Sequence, residues 1–328
     1  MVNTVLGAID PSQMGVTLPH EHIFANMMRE QRIGGLLNDY ELMVSEVRAF
    51  KDIGGSTIWD LTPTELTYGA APDPGGRFTK GHRADLADGS RSANHILSVM
   101  ALSRETGVNI VAGTGHYRDP FLDKEWFDQH SVAEIAELMV REIEDGIAGT
   151  EARAGIIGEI GSNNWYISSA EERSFRAAAK AQQASGLALS THANRWPVGI
   201  DQLDLLEECG VDPRRVIVGH CDNTNLLDYH LALARRGTYV QFDNLFFKTS
   251  YDLEKRVGFV VNLIRAGFID QILLSHDTCK RNHLRVEGGN GYCGIHYVFR
   301  PALQEAGVSK EEVDHIMTDN PRRALVPA

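Results

Sequence analysis

Eight times along the chain, a short apolar run rich in β-branched residues gives way to a longer amphipathic stretch. The runs are Gly15–His22, Thr57–Asp60, Val108–Gly115, Gly155–Ile160, Leu187–His192, Arg215–His220, Thr238–Asp243 and Gln271–Asp277. Several are apolar almost throughout, as parallel strands covered on both faces must be. Helical patterns lie between them. Ser131-Val132-Ala133-Glu134 has the form of a capping box, in which serine and glutamate each satisfy a free backbone N–H of the other. Ser169-Ala170-Glu171-Glu172 opens another helix, with Gly186 placed to stop it, and Ile200–Gly210 and Asp252–Gly267 repeat the pattern. Strand then helix, eight times over, predicts an α/β chain closed into a (β/α)8 TIM barrel. A doubly wound open sheet is the alternative, but it would want a glycine-rich phosphate loop after the first strand, and none is present.

The 328 residues leave room for two average domains or one large barrel. No linker, repeat or low-complexity tract divides them, so residues 1–328 read as one domain. With 32 Lys plus Arg against 44 Asp plus Glu, the net charge is −12. An acidic balance argues against a nucleic-acid partner, although one local pocket can invert it. No run approaches the ~18 apolar residues of a membrane span, and the N-terminus lacks the basic and apolar regions of a secretory signal. Cys209, Cys221, Cys279 and Cys293 show no paired spacing and read as free thiols of a cytoplasmic protein. Two segments, Thr62–His95 and Thr278–Tyr297, are long for plain connections. Both follow a strand, so both should lie on the rim where barrel enzymes keep their sites.

The strand ends carry the chemistry. In His20-Glu21-His22, alternation along a strand sends both imidazoles to one face and the glutamate to the other. Strand four ends with Glu159 inside an apolar run, a costly placement unless the carboxylate is paired or binds a metal. Strands five, six and eight end in His192, His220 and Asp277. Metal-ligand side chains thus converge on one rim. Four histidines and two carboxylates exceed what a single catalytic zinc needs, and suit two metals ~3.5–4 Å apart. Such a pair lowers the pKa of bound water from 15.7 towards ~7, and Asp277 is the natural acceptor for the proton released.

These segments together resemble the phosphotriesterase family of the amidohydrolase superfamily: Gly15-Val16-Thr17-Leu18-Pro19-His20-Glu21-His22, Gly158-Glu159-Ile160-Gly161, Ser190-Thr191-His192, Val218-Gly219-His220-Cys221-Asp222 and Leu274-Ser275-His276-Asp277. The similarity runs to Asn320-Pro321-Arg322-Arg323-Ala324-Leu325. The resemblance implies that His20, His22 and Asp277 bind the more buried metal, that His192 and His220 bind the more exposed one, and that Glu159 bridges them. The founding phosphotriesterases and nearby lactonases bridge with a carboxylated lysine, whereas Glu151–Ser162 contains no lysine. The glutamate bridge resembles the phosphotriesterase-homology and phosphotriesterase-related branch.

The resulting expectation is a hydrolase with two divalent ions, zinc first and manganese or cobalt as alternatives. A hydroxide between the ions attacks a small ester or lactone. N-acyl amides, then phosphotriesters, are the further substrate classes, and a non-catalytic ligand-binding relative is the contrasting reading. A homodimer is a family-level expectation. Tyr117, Arg281 and Tyr292 are candidate substrate contacts, with Trp59, Trp165 and Trp196 as aromatics near the rim. His276, adjacent to Asp277, should turn away from the metals. Asp222 either caps the next helix or holds a ligating histidine by its second nitrogen.

Overall fold

A computed structural model describes residues 1–72, 88–245 and 249–326. Residues 73–87, part of the expected rim segment Thr62–His95, fall outside the described residues, whereas Thr278–Tyr297 is described throughout. Eight parallel strands form one sheet in sequence order. They are β1 (Val16–Glu21), β2 (Gly55–Asp60), β3 (Asn109–Thr114), β4 (Ile156–Ser162), β5 (Leu189–Ala193), β6 (Val216–Gly219), β7 (Tyr239–Phe242) and β8 (Ile272–Leu274). Helices α1 (Tyr40–Asp52), α2 (Ala93–Thr106), α3 (Val132–Glu144), α4 (Ser169–Ser185), α5 (Gly199–Glu208), α6 (Leu227–Arg235), α7 (Ser250–Arg265) and α8 (Arg300–Glu305) follow the strands in turn. The architecture is the (β/α)8 barrel. An antiparallel hairpin, Val2–Thr4 with Gly7–Ile9, precedes it. No helix among the described residues is long and apolar enough to cross a membrane.

The strand sequences place the site by alternation. Outward residues such as Val218, Val240 and Leu274 join the core beneath the helices. Inward residues are layered. Trp59, Val111, Ile156, Ile217, Tyr239 and Leu273 form an apolar plug in the lower barrel. Two residues further along lie the polar side chains of Gln241 and Ser275 and the glycines Gly113, Gly158 and Gly219. The plug separates the C-terminal mouth from the opposite end of the barrel.

Helix α4 starts one residue earlier than the spacing suggested. Its capping box is Ser168 with Glu171, rather than Ser169 with Glu172. The register is set by the other oxygen of Glu171, which accepts from the backbone N–H groups of Asp119 (3.0 Å) and Asn163 (2.8 Å). One carboxylate thereby ties the loops after β3 and β4 to the helix. Strands β6 and β8 also stop short of the expected His220 and Asp277. Both residues have left-handed backbone (φ 58° and 54°), His220 directly after β6 and Asp277 three residues after β8.

The barrel closes between β1 and the segment after β8 around the Glu21 side chain. Glu21 Oε1 accepts from the Ser275 hydroxyl (2.8 Å) and the His276 N–H (2.9 Å), and Oε2 accepts from the Thr278 N–H (2.9 Å). His276 Nδ1 also lies 2.9 Å from Oε1, which gives that histidine its place away from the mouth. Ser275 Oγ in turn accepts from the His20 N–H (3.0 Å), and the Asp277 N–H donates to the His20 carbonyl (3.2 Å). Glu21 is fully buried. Glu21→Gln keeps one acceptor oxygen but sets an NH2 donor against a buried N–H, so it should cost about 3–5 kcal/mol of stability, read from urea unfolding.

Candidate metal centre

Six side chains from five strand ends meet at the mouth of the barrel. Glu159 lies at their centre. Its Oε2 is 3.0 Å from His192 Nδ1, 3.3 Å from His220 Nε2 and 3.4 Å from His20 Nε2. Its Oε1 is 3.6 Å from His22 Nε2, which is also 3.2 Å from Asp277 Oδ1. The local backbone presents this carboxylate. The β4–β5 ladder shifts register between Ile157 and Ile160, an irregularity of the kind that re-aims side chains near active sites. Gly158 is required there, because a Cβ would lie 2.3 Å from the Ser190 carbonyl oxygen and its φ is +125°.

The outer nitrogens of the histidines are held by a second ring of side chains. His20 Nδ1 is 3.0 Å from Gln241 Oε1 and 3.0 Å from Asp243 Oδ2, while His220 Nδ1 is 2.7 Å from Asp243 Oδ1. The Thr62 hydroxyl donates to Asp60 Oδ1 (2.5 Å) and so accepts from His22 Nδ1 (3.1 Å). With Nδ1–H donating in each case, the Nε2 lone pairs face the centre, as ligation requires. His192 faces it through Nδ1 instead.

The donor set fits divalent cations. His20 Nε2 is buried and makes no hydrogen bond among the described residues. His192 Nδ1 and His220 Nε2 lie 2.7 Å apart, which two lone pairs tolerate only with a shared proton or cation between them. Two sets of ligand atoms, His20/His22/Glu159 and Glu159/His192/His220, are each compact enough for one ion, and they share Glu159. A third set, His20/His220/Asp243, consists of Asp243 and the imidazoles it orients.

Charge is balanced by pairing within the cluster. Burial opposes a proton on His20, but Asp243 and Glu159 outweigh it and hold its pKa well above the usual value. The same contest, with Asp243 dominant, raises His220 to about 10. Burial and the neighbouring His220 lower His192 to about 4. Glu159, despite its burial, is held well below the carboxylate range by His192 and His20.

The other expected site residues divide. Tyr117 is at the mouth, its hydroxyl 3.3 Å from His192 Nδ1, and burial raises its pKa well above the usual phenol value. Tyr292 is not. It is buried, with its hydroxyl donating to the His22 carbonyl (2.9 Å), and so supports the turn after β1 from behind. Arg281 also lies outside the pocket. Its N–H donates to the Gly34 carbonyl and its guanidinium faces Glu287 at 3.4 Å. Its neighbour Lys280 lines the pocket instead. Asp222 neither caps the next helix nor holds His220; it accepts from the Asp243 and Asn244 N–H groups and from Arg256 Nε. Trp59 belongs to the lower plug, whereas Trp165 and Trp196 are exposed. His116 pairs with Glu65 at 2.8 Å. Sequence reasoning missed Asp243 as the orienting carboxylate. Its signal was the one that marked Glu159, an acid at the end of an apolar strand run.

Two predictions concern metal binding. Asp243→Asn leaves every inner side chain in place but loosens His20 and His220, and should weaken divalent-metal affinity about 10- to 100-fold in a chelator competition. With His220 raised to about 10 and His20 raised well above the usual value, a metal must displace protons from both imidazoles near neutral pH. Affinity should therefore fall as pH falls, by about tenfold per pH unit for each proton released. A flat profile between roughly pH 6 and pH 8 would contradict this.

The family model described as "Phosphotriesterase family" matches residues 1–71 and 85–325. The phosphotriesterase homology protein of Escherichia coli strain K12 is 36% identical over 315 residues, covering 96% of this chain and 98% of that protein. An N-acetyltaurine hydrolase of Dictyostelium discoideum is 27% identical over 387 residues, with 99% and 97% covered. The crystal structure of a lactonase from Listeria monocytogenes superposes with a TM-score of 0.83 at 25% identity, covering 99% of this chain and 98% of that one. With its ligand-type side chains gathered at the barrel mouth and a match from end to end, the chain belongs to the phosphotriesterase family.

Proposed function

We propose that this protein is a metal-dependent hydrolase acting on the carbonyl carbon of a small carboxylic ester or lactone. The observation that carries this reading is the single carboxylate, Glu159, contacted by four imidazoles from three other strand ends. Two divalent ions bound there would supply a water of lowered pKa and an electrophile for the substrate oxygen. Zinc is the first candidate, since imidazole and carboxylate donors suit it, and manganese or cobalt are the alternatives.

The chain's own groups supply the rest. Asp277 is the carboxylate of the cluster open to the pocket, with its side chain 15% exposed against 1% for Glu159. In this reading it accepts the proton of the attacking water and returns it to the leaving group. Tyr117, kept protonated by burial, can donate its hydroxyl to the substrate carbonyl and orient it. The lactonase relative supports attack at a carbonyl. Amide hydrolysis is the second reading, favoured by the end-to-end similarity to an N-acetyltaurine hydrolase, whose substrate carries an amide. A poorer leaving group would lean harder on proton return by Asp277. Phosphotriesters rank third, because the lysine bridge of the founding enzymes is absent from β4.

Turnover of metal-loaded protein across lactones, aryl esters, N-acyl amines and phosphotriesters tests the reading. Activity on the first two classes is expected, and inactivity on all four, with metal present, would refute it. Asp277→Asn should lower kcat per bound metal about 10²- to 10⁴-fold. Glu159→Ala should reduce metal content, while withholding bicarbonate should change nothing. A bicarbonate requirement would reveal a carboxylated lysine in the bridge.

A further inference from the structure

The pocket above the cluster is small, about 120 Å³, well short of the roughly 300–1,000 Å³ of drug-sized sites. Among the described residues three cations line it: Arg118, Arg195 and Lys280. Arg118 is already committed. Its guanidinium pairs with Glu30 at 2.5 Å, bonds the Asn163 side chain and stacks on Tyr117 and Phe121. Arg195 and Lys280 differ. Neither has a carboxylate within ion-pairing distance among the described residues.

Their placement is specific. Arg195 follows His192 by three residues, and Lys280 follows Asp277 by three, so each cation stands beside a member of the cluster. Arg195 is held with left-handed backbone (φ 71°). Four non-glycine residues among those described have positive φ, and three of them, Arg195, His220 and Asp277, belong to this site. Strain of this kind costs of order 1–3 kcal/mol and persists where surrounding structure over-determines it. In a chain of net charge −12, two unpaired cations over a small pocket select by charge.

We propose that the substrate is a small anion whose carboxylate or sulfonate group is held by Arg195 and Lys280 while its scissile carbonyl lies over the cluster. This rests on the hydrolase reading above and names its substrate class. The matched charge also explains how so polar a pocket retains a ligand with few atoms to bury. An anionic oxygen group accepts from both cations at once, as charge-assisted hydrogen bonds stronger than those of a neutral group.

The test uses matched pairs on metal-loaded protein. They are γ-valerolactone against 5-oxotetrahydrofuran-2-carboxylate, and N-propylacetamide against N-acetyl-β-alanine. The anionic member is expected to show at least tenfold higher kcat/KM in the pair that is turned over. Arg195→Gln and Lys280→Gln should each lower the anion-to-neutral ratio tenfold or more, mainly through KM. Arg281→Gln, outside the pocket, should preserve the ratio. Calorimetric binding of propane-1-sulfonate to the same proteins, expected to weaken tenfold in the two pocket variants, reads the anion site without turnover. Equal use of both members, or a ratio unchanged in the variants, would overturn the proposal and leave the hydrolase reading standing. Sulfonate binding lost in the variants without any hydrolysis would do the reverse. No sulfonate binding to the unaltered protein, with no anion preference, would end the proposal.

Discussion

Closure of the barrel depends on the Glu21 carboxylate. It gathers donors from Ser275, His276 and Thr278 at the seam between β1 and the segment after β8. A barrel sheet has two ends that must meet, and hydrogen bonds left open at that seam would be buried without partners. Here side chains, Glu21 foremost, take over most of what a regular ladder does elsewhere. Because Ser275 and Asp277 also bond the backbone of His20, the closure sets the register of His20 and His22 against Asp277. Across that seam His22 Nε2 and Asp277 Oδ1 stand 3.2 Å apart.

A second carboxylate organises the other side. Asp243 reaches His20 from one oxygen and His220 from the other, joining the two halves of the cluster behind Glu159. Two anions therefore sandwich the imidazoles. This fixes the outer nitrogens as donors and turns the inner ones toward the centre, where a metal would take the place of their protons. Above the cluster the balance reverses, since Arg195 and Lys280 face the pocket without carboxylate partners among the described residues. The acidity of the whole chain and the charge of its mouth are separate properties. The first concerns solubility and the second concerns what enters.

Much of this was legible in the residues. The eight apolar runs foretold the strands because both faces of a barrel strand are buried, against the plug inside and the helices outside. His20, His22, Glu159, His192, His220 and Asp277 could be singled out because ligand-type side chains at the ends of apolar runs need a shared purpose. Asp243 obeyed the same rule and was passed over, since it is separated from His220 by a helix and pairs only in three dimensions. Tyr292 and Arg281 misled for the opposite reason. Proximity in sequence to Asp277 suggested a pocket position, whereas the turns after β8 carry Tyr292 behind the His22 carbonyl and Arg281 out to Glu287.

Local pattern alone determined the barrel, the rim on which its chemistry sits and the residue types that compose the cluster, because alternation and burial act over a few neighbouring residues. Tertiary structure decided which side chains share an atom: that four imidazoles meet on Glu159, that Glu21 closes the seam, that Asp243 serves two histidines, and that Lys280 rather than Arg281 faces the pocket. Those outcomes depend on left-handed turns at His220, Asp277 and Arg195 and on the register shift in β4. Such features are stabilised by contacts between distant segments, and no spacing within one segment specifies them.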